Sequence, residues 1–169
     1  MKTIIIYFSY DGNCDMVAKQ LQAPLNADLL RLYLEDDTCR KGFAKYLWGG
    51  GQALGNKAPA LKPYAADLAG YDLVVIGAPV WAGSPAPALR SFFENTAFSG
   101  KKAALFCCHA GGKGKALEKL RQRVAGNDVI GETDFVNPAK QDPRGVREKA
   151  EAWARDLASR FPAAPAGLS

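Results

Sequence analysis

TIIIYFSYDGNC, residues 3 to 14, decides the reading of the fold. Its first half, Thr3 to Phe8, is apolar and rich in β-branched side chains with no polar alternation, the pattern of a strand covered on both sheet faces. A turn containing Gly12 follows, and from Asn13 the spacing changes: Val17, Ala18 and Leu21 recur at helical intervals before Pro24. A strand therefore hands over to a helix through a tight turn. Such a helix presents unpaired amides and the positive end of its dipole to the loop, so SYDGNC (residues 9 to 14) is built to receive an anion. Ser9 offers a hydroxyl, Gly12 relieves the backbone, and Asn13 either caps the helix or bonds to an anion oxygen. The alternative is a plain turn capped by Asp11 or Asn13. Asp11 favours that alternative, because a carboxylate beside a phosphate weakens binding unless it points outward, and Cys14 is a poorer donor than a hydroxyl. The spacing matches neither GxxxxGK[ST] nor GxGxxG, which tells against ATP and Rossmann-type dinucleotides.

Working outward, DLLRLY (28 to 33) reads as a weaker second strand. In YDLVVIGAPV (71 to 80), Asp72 opens a strongly apolar strand through Ile76, with Gly77 and Pro79 expected to end it. SPAPALRSFFEN (84 to 95) supplies a helix with Leu89, Phe92 and Phe93 on its apolar face. KAALFCC (102 to 108) is a fourth buried strand, and 113 to 124 a helix with Leu117, Leu120 and Val124 on one side. Residues 128 to 136 form a more polar strand suited to an edge, and Val146, Ala150, Trp153, Ala154, Leu157 and Phe161 mark a closing amphipathic helix. The segment 39 to 54 carries Phe43, Tyr46, Leu47 and Trp48 but is broken by glycines 49 to 51; it reads as a short helix and a loop able to act as a lid. One domain over 1–161 is expected, followed by a frayed tail at 162–169.

Five strands alternating with helices require an α/β fold: a doubly wound parallel sheet of order 2-1-3-4-5 with helices on both faces. Ligands of such sheets bind beyond the carboxyl ends of the strands flanking the reversal of order, here the first and third. That rim gathers three loops: SYDGNC, APVWAGS (78 to 84) and CCHAGGKG (107 to 114).

Composition narrows the chemistry. With 22 basic and 17 acidic residues the net charge is +5, but the cations are scattered through helical segments without interleaved aromatics, which argues against nucleic acid. No apolar run is long enough to span a bilayer. The four cysteines have no CxxC spacing and only one histidine for company, so a zinc site is not indicated; reduced thiols and a cytoplasmic location are expected.

On the rim, Trp81 can stack on a flat aromatic ligand or tuck into the core, and Trp48 can close over the same ligand or pack on the sheet. The small residues Ala110, Gly111 and Gly112 would let backbone approach a planar ring, or serve only the turn into the next helix. His109 can bond a ligand edge or shuttle a proton, but has no obvious nucleophile beside it.

YFSYDGN at 7 to 13, WGGGQAL at 48 to 54, VVIGAPVWAGSPAPALRSFF at 74 to 93 and LFCCHAGGKGKALEKL at 105 to 120 together resemble the flavodoxin-like family, which binds flavin mononucleotide (FMN). The resemblance covers most of residues 2 to 160 and is most specific in the second rim loop. It implies that Ser9, Tyr10, Gly12 and Asn13 surround the ribityl phosphate, with Asp11 and Cys14 standing where the family carries threonine or serine. It further implies that Pro79, Val80, Trp81, Ala82 and Gly83, with Cys108, His109, Ala110, Gly111 and Gly112, embrace the isoalloxazine. The function implied is FMN-dependent electron transfer or a small flavin-dependent oxidoreductase, working with a redox partner protein or a small-molecule electron acceptor and with neither nucleic acid nor membrane. Two alternatives stand beside it: a flavodoxin-like binding or regulatory module that has lost FMN, and an NAD(P)H-dependent quinone or nitro-compound reductase. The basic net charge departs from the acidic habit of small flavodoxins.

Overall fold

The computed structural model describes residues 1–35 and 58–161. In chain order they form β1 (Thr3–Phe8), α1 (Asn13–Leu25), β2 (Ala27–Leu32), β3 (Leu73–Trp81), β4 (Ser84–Pro85), α2 (Ala88–Asn95), β5 (Lys102–His109), α3 (Ala116–Arg123), β6 (Asp128–Val136), a 3-10 turn (Pro138–Lys140) and α4 (Pro143–Ser159). The segment 39 to 54, including Trp48, and the tail 162 to 169 lie outside the described residues.

The run TIIIYF forms the strand at the point where the order reverses, and every one of its residues is buried. It pairs in parallel with β2 on one side and β3 on the other, so that Thr3 faces both Ala27 and Leu73. Beyond β3 follow β5 and β6, also parallel, giving the order β2-β1-β3-β5-β6 with β4 folded back antiparallel on β3. Apart from that two-residue arm, this is the doubly wound 2-1-3-4-5 order read from the alternation of elements.

Strand alternation divides the core. Ile4, Ile6, Phe8, Val74, Ile76 and Leu105 face a layer that includes Leu89 and Phe92 of α2 and Leu117 and Leu120 of α3. Ile5, Tyr7, Val75, Ala104 and Phe106 face Val17 and Leu21 of α1 and Ala150, Trp153 and Leu157 of α4. Because both faces are covered, the strand shows no polar alternation; each fully buried Ile, Leu or Phe contributes roughly 1.5–3 kcal/mol.

Strand β3 does not stop at Ile76. It continues to Trp81 because β5 pairs with it as far as Pro79 opposite Cys108. Gly77 does not break the strand: a Cβ built there would lie 2.1 Å from the Phe106 ring, so the missing side chain is the space that ring occupies. Phe106 is fully buried and meets Phe135 and Trp153 edge to face, at 6.3 Å in each case, and has nowhere to retreat. Helix α3 starts at Ala116, later than the apolar spacing implies, since Gly114 holds a positive φ of 50°. Helix α4 starts at Pro143, where the missing N–H costs nothing, and Asp142 accepts the Arg144 N–H at 3.1 Å.

Replacing Gly77 by Ala is expected to lower stability by about 1–3 kcal/mol through overpacking. In a double-mutant cycle, Gly77→Ala with Phe106→Leu should lose less than the sum of the two single changes, measured by chemical denaturation. Additive losses would show that the ring does not occupy the glycine's space.

Candidate functional site

The β1–α1 loop is organised by Ser9. Its buried Oγ accepts the Asp15 backbone N–H of the first turn of α1 at 3.1 Å, while Gly12 takes the cap position in a left-handed conformation with φ 83°. Gly12, and not Asp11 or Asn13, holds the cap position. The Asn13 Oδ1 instead accepts the Ala139 N–H at 2.9 Å, reaching across to the turn after β6. Since the Ser9 oxygen is already an acceptor, its O–H remains to donate toward the cleft it lines. Asp11 is exposed at the mouth of the same loop.

Behind the loop, the Asp15 carboxylate accepts from Tyr7 Oη at 2.7 Å and Arg31 Nη1 at 3.2 Å, and pairs with Lys19 Nζ at 2.7 Å. Arg31 Nη2 also donates to the Ser9 carbonyl at 3.2 Å. Burial alone would raise the Asp15 pKa, but the bonds from Lys19 and Tyr7 and the charge of Arg31 hold it below the ordinary value. Burial, and then the bond to Asp15, push the Tyr7 phenol above its usual range, so it stays a neutral donor.

The second loop is a two-residue hairpin. Trp81 pairs with Ser84, and Ala82 and Gly83 between them have φ 47° and 71°, the paired positive values of a type I′ turn. Trp81 is half-buried and meets Phe8 edge to face at 6.0 Å and Tyr10 at 5.8 Å, so it both packs on the core and lines the cleft. Gly83 abuts the third loop: its carbonyl accepts the Lys115 N–H at 2.9 Å, and a Cβ on Gly114 would lie 2.6 Å from the Gly83 Cα.

In the third loop, His109 Nε2 lies 3.1 Å from Asp134 Oδ2, and Lys113 Nζ lies 3.0 Å from Oδ1. Burial opposes ionisation of Asp134, but bonds from Lys113 and His109 hold its pKa below the ordinary value. An ionised Asp134 can only accept, so Nε2 carries the proton of the His109 pair. The side chain of His109 is only 9% exposed, and its Nδ1 is buried without a partner among the described residues. Cys14 and Cys108 meet beneath the loops, where burial and the neighbouring thiol push the Cys14 pKa well up. Burial, then the Asp134 charge, push the Cys107 thiol up to about 12. Cys14 and Cys107 are therefore neutral and add no negative charge to the site.

The three loops enclose one cleft of about 460 Å³. Ser9, Tyr10, Asp11, Asn13 and Cys14 line it from the first loop, Pro79, Val80, Trp81 and Ala82 from the second, and Cys108, His109 and Ala110 from the third. Gly12, Gly83, Gly111 and Gly112 are not part of the lining; Gly12 and Gly83 shape the turns, and Gly111 and Gly112 are exposed. Asn137, Ala139 and Lys140 also line it, although no sequence pattern singles them out. Their signal is topological: they follow a parallel strand, so they emerge on the same rim. Among the described residues, no group of three or more His, Cys, Asp or Glu is placed to hold a metal ion.

A doubly wound sheet with a strand-to-helix anion loop and two further loops closing on a ring-sized cleft defines the flavodoxin-like flavoproteins. The family model for NADPH-dependent FMN reductase matches residues 1–142, and the chain belongs to that family. It is similar to a flavoprotein from Lactobacillus acidophilus NCFM solved in complex with FMN, at 25% identity over 82% of this chain and 95% of that one, with a TM-score of 0.69. Flavodoxin 2 from Bacillus cereus, in its oxidised form, shares the fold at 19% identity and TM-score 0.59, covering 95% of this chain and 100% of that one. A Streptococcus pneumoniae TIGR4 flavodoxin does so at 14% identity and TM-score 0.61, with the same coverage. No curated protein matches the chain. The protein is a flavodoxin-like, FMN-binding oxidoreductase, and its family speaks for retention of the flavin over a module that has lost it.

The Asp15 network sets an acid limit on stability. Its folded pKa is depressed, so its contribution is present above the unfolded value near 3.8 and is lost as pH falls through the folded value. Asp15→Asn is expected to destabilise by about 1–2 kcal/mol at pH 7, with the gap from the unmodified protein narrowing below about pH 4, as read by urea denaturation at several pH values. A gap constant with pH would show that the charge contributes nothing.

Proposed function

We propose that the protein holds FMN noncovalently in the rim cleft and passes electrons from NADPH to a small-molecule acceptor or a partner protein. The observation that carries this reading is the division of a single cleft of about 460 Å³ into a phosphate-suited end and a ring-suited end. That volume lies within the range of about 300–1,000 Å³ typical of small-molecule sites. When bound, FMN supplies the one- and two-electron chemistry, and the chain supplies binding, orientation and electrostatics.

Ser9 would donate its hydroxyl to the phosphate, with the first-turn amides of α1 beside it. Trp81, braced by Phe8 and Tyr10, would present its indole to the ring. His109 lines the cleft in an orientation set by Asp134. NADPH as donor is supported by the family of the chain. A cytoplasmic location is supported by the unpaired state of Cys14, Cys107 and Cys108. No described helix is long and apolar enough to cross a membrane.

Titrating flavin-free protein with FMN should give saturable binding near one equivalent, with quenching of flavin fluorescence, and NADPH should bleach the bound flavin's visible absorbance under anaerobic conditions. Absence of saturable binding would reject the proposal; binding without bleaching would leave an electron carrier reduced by another donor. Trp81→Leu is expected to weaken FMN and riboflavin alike, by about five- to thirtyfold for the loss of one stacking partner worth roughly 1–2 kcal/mol.

A further inference from the structure

We infer that Lys140, delivered by the turn after β6, is the cation that neutralises the flavin phosphate. The inference rests on the FMN reading and goes beyond it, since nothing in the three rim loops assigns a positive charge to that end of the cleft.

The loop at residues 9 to 14 contains no lysine or arginine and does contain Asp11. The nearest cations behind it are committed elsewhere: Lys19 and Arg31 both pair with Asp15. In the third loop, Lys113 is held by Asp134. A phosphomonoester carries about −1.5 to −2 charges at neutral pH, and the neutral donors of this loop add no countercharge to it.

The turn after β6 answers that deficit. Its position on the cleft is held by the Asn137 N–H on the His109 carbonyl at 2.8 Å and the Lys140 N–H on the Asn137 carbonyl at 2.8 Å. The bond from the Ala139 N–H to Asn13 Oδ1, at 2.9 Å, ties the residue before Lys140 to the first residue of α1. Asn13 thus spends its acceptor on bringing this turn to the helix mouth and keeps its NH₂ to donate. Lys140 lines the cleft with Ser9, Asp11 and Asn13, and is the only lysine or arginine among the described residues that do so. Its side chain is exposed and enters no hydrogen bond or ion pair with a described residue. A flexible ammonium is well matched to this role, because it supplies a point charge and adapts to a phosphate placed by the backbone amides.

The test compares FMN with riboflavin, which lacks the phosphate, by calorimetric titration of the full flavin-free chain at low and high salt. Lys140→Gln should weaken FMN about five- to tenfold, leave riboflavin within about twofold, and flatten the salt dependence of FMN binding; Lys140→Arg should restore most of the affinity. Unchanged FMN affinity in Lys140→Gln overturns the inference alone, as does equal loss of both ligands, which would mean that the residue supports the turn and not the phosphate. Failure of the unmodified protein to bind either flavin overturns the FMN reading and this inference with it. Circular dichroism of each variant separates binding losses from unfolding.

Discussion

Parallel pairing of β1 with both neighbours is the constraint on which the site depends. Parallel strands cannot be joined by tight turns, so each must return through a crossover, and every crossover leaves from the same edge of the sheet. The carboxyl ends of β1, β3, β5 and β6 therefore arrive together, at Phe8, Trp81, His109 and Val136. Residues as distant in sequence as Asn13 and Ala139 become hydrogen-bond partners for this reason alone. Burial of Ile5 and Ile6, neither of which is exposed, holds β1 in register, since a one-residue slip would exchange the two side-chain sets that fill the helix layers.

The anion end of the cleft is built on neutral donors and on charges already spoken for. Asp15 lies close to the helix mouth, where an uncompensated carboxylate would repel a phosphate, but Tyr7, Lys19 and Arg31 absorb its charge from behind. Raised thiol pKa values keep Cys14 and Cys107 from adding a thiolate. Among the described residues, Asp11 and Lys140 place exposed side chains of opposite charge on the cleft wall.

Much of this is legible in the residues. TIIIYF declares a strand buried on both faces, and the switch to helical spacing at Asn13 places the anion loop; alternation of elements then yields the sheet order. What escapes has physical causes. Gly77 resembles a strand end because a glycine's usual meaning is local, whereas here a cross-strand aromatic ring from Phe106 takes its space. Ser9 reads from sequence as a hydroxyl offered to an anion, and that its oxygen also receives the Asp15 amide is not legible there, because the capping partner depends on the path of the turn. Residues 138 to 140 form a single 3-10 turn, capped by Asn137 and too short to show periodicity, and only the tertiary bonds of this segment give it a place in the site.

The contact between Gly83 and Gly114 joins the two ring-side loops backbone to backbone. With no side chain between them to yield, the hairpin and the third loop form one stiff wall, so neither can be lengthened, shortened or re-angled independently of the other. Variation in what this cleft accepts must then come from the anion-side turn and from residues on the wall's inner surface, while the wall's shape is inherited as a single piece.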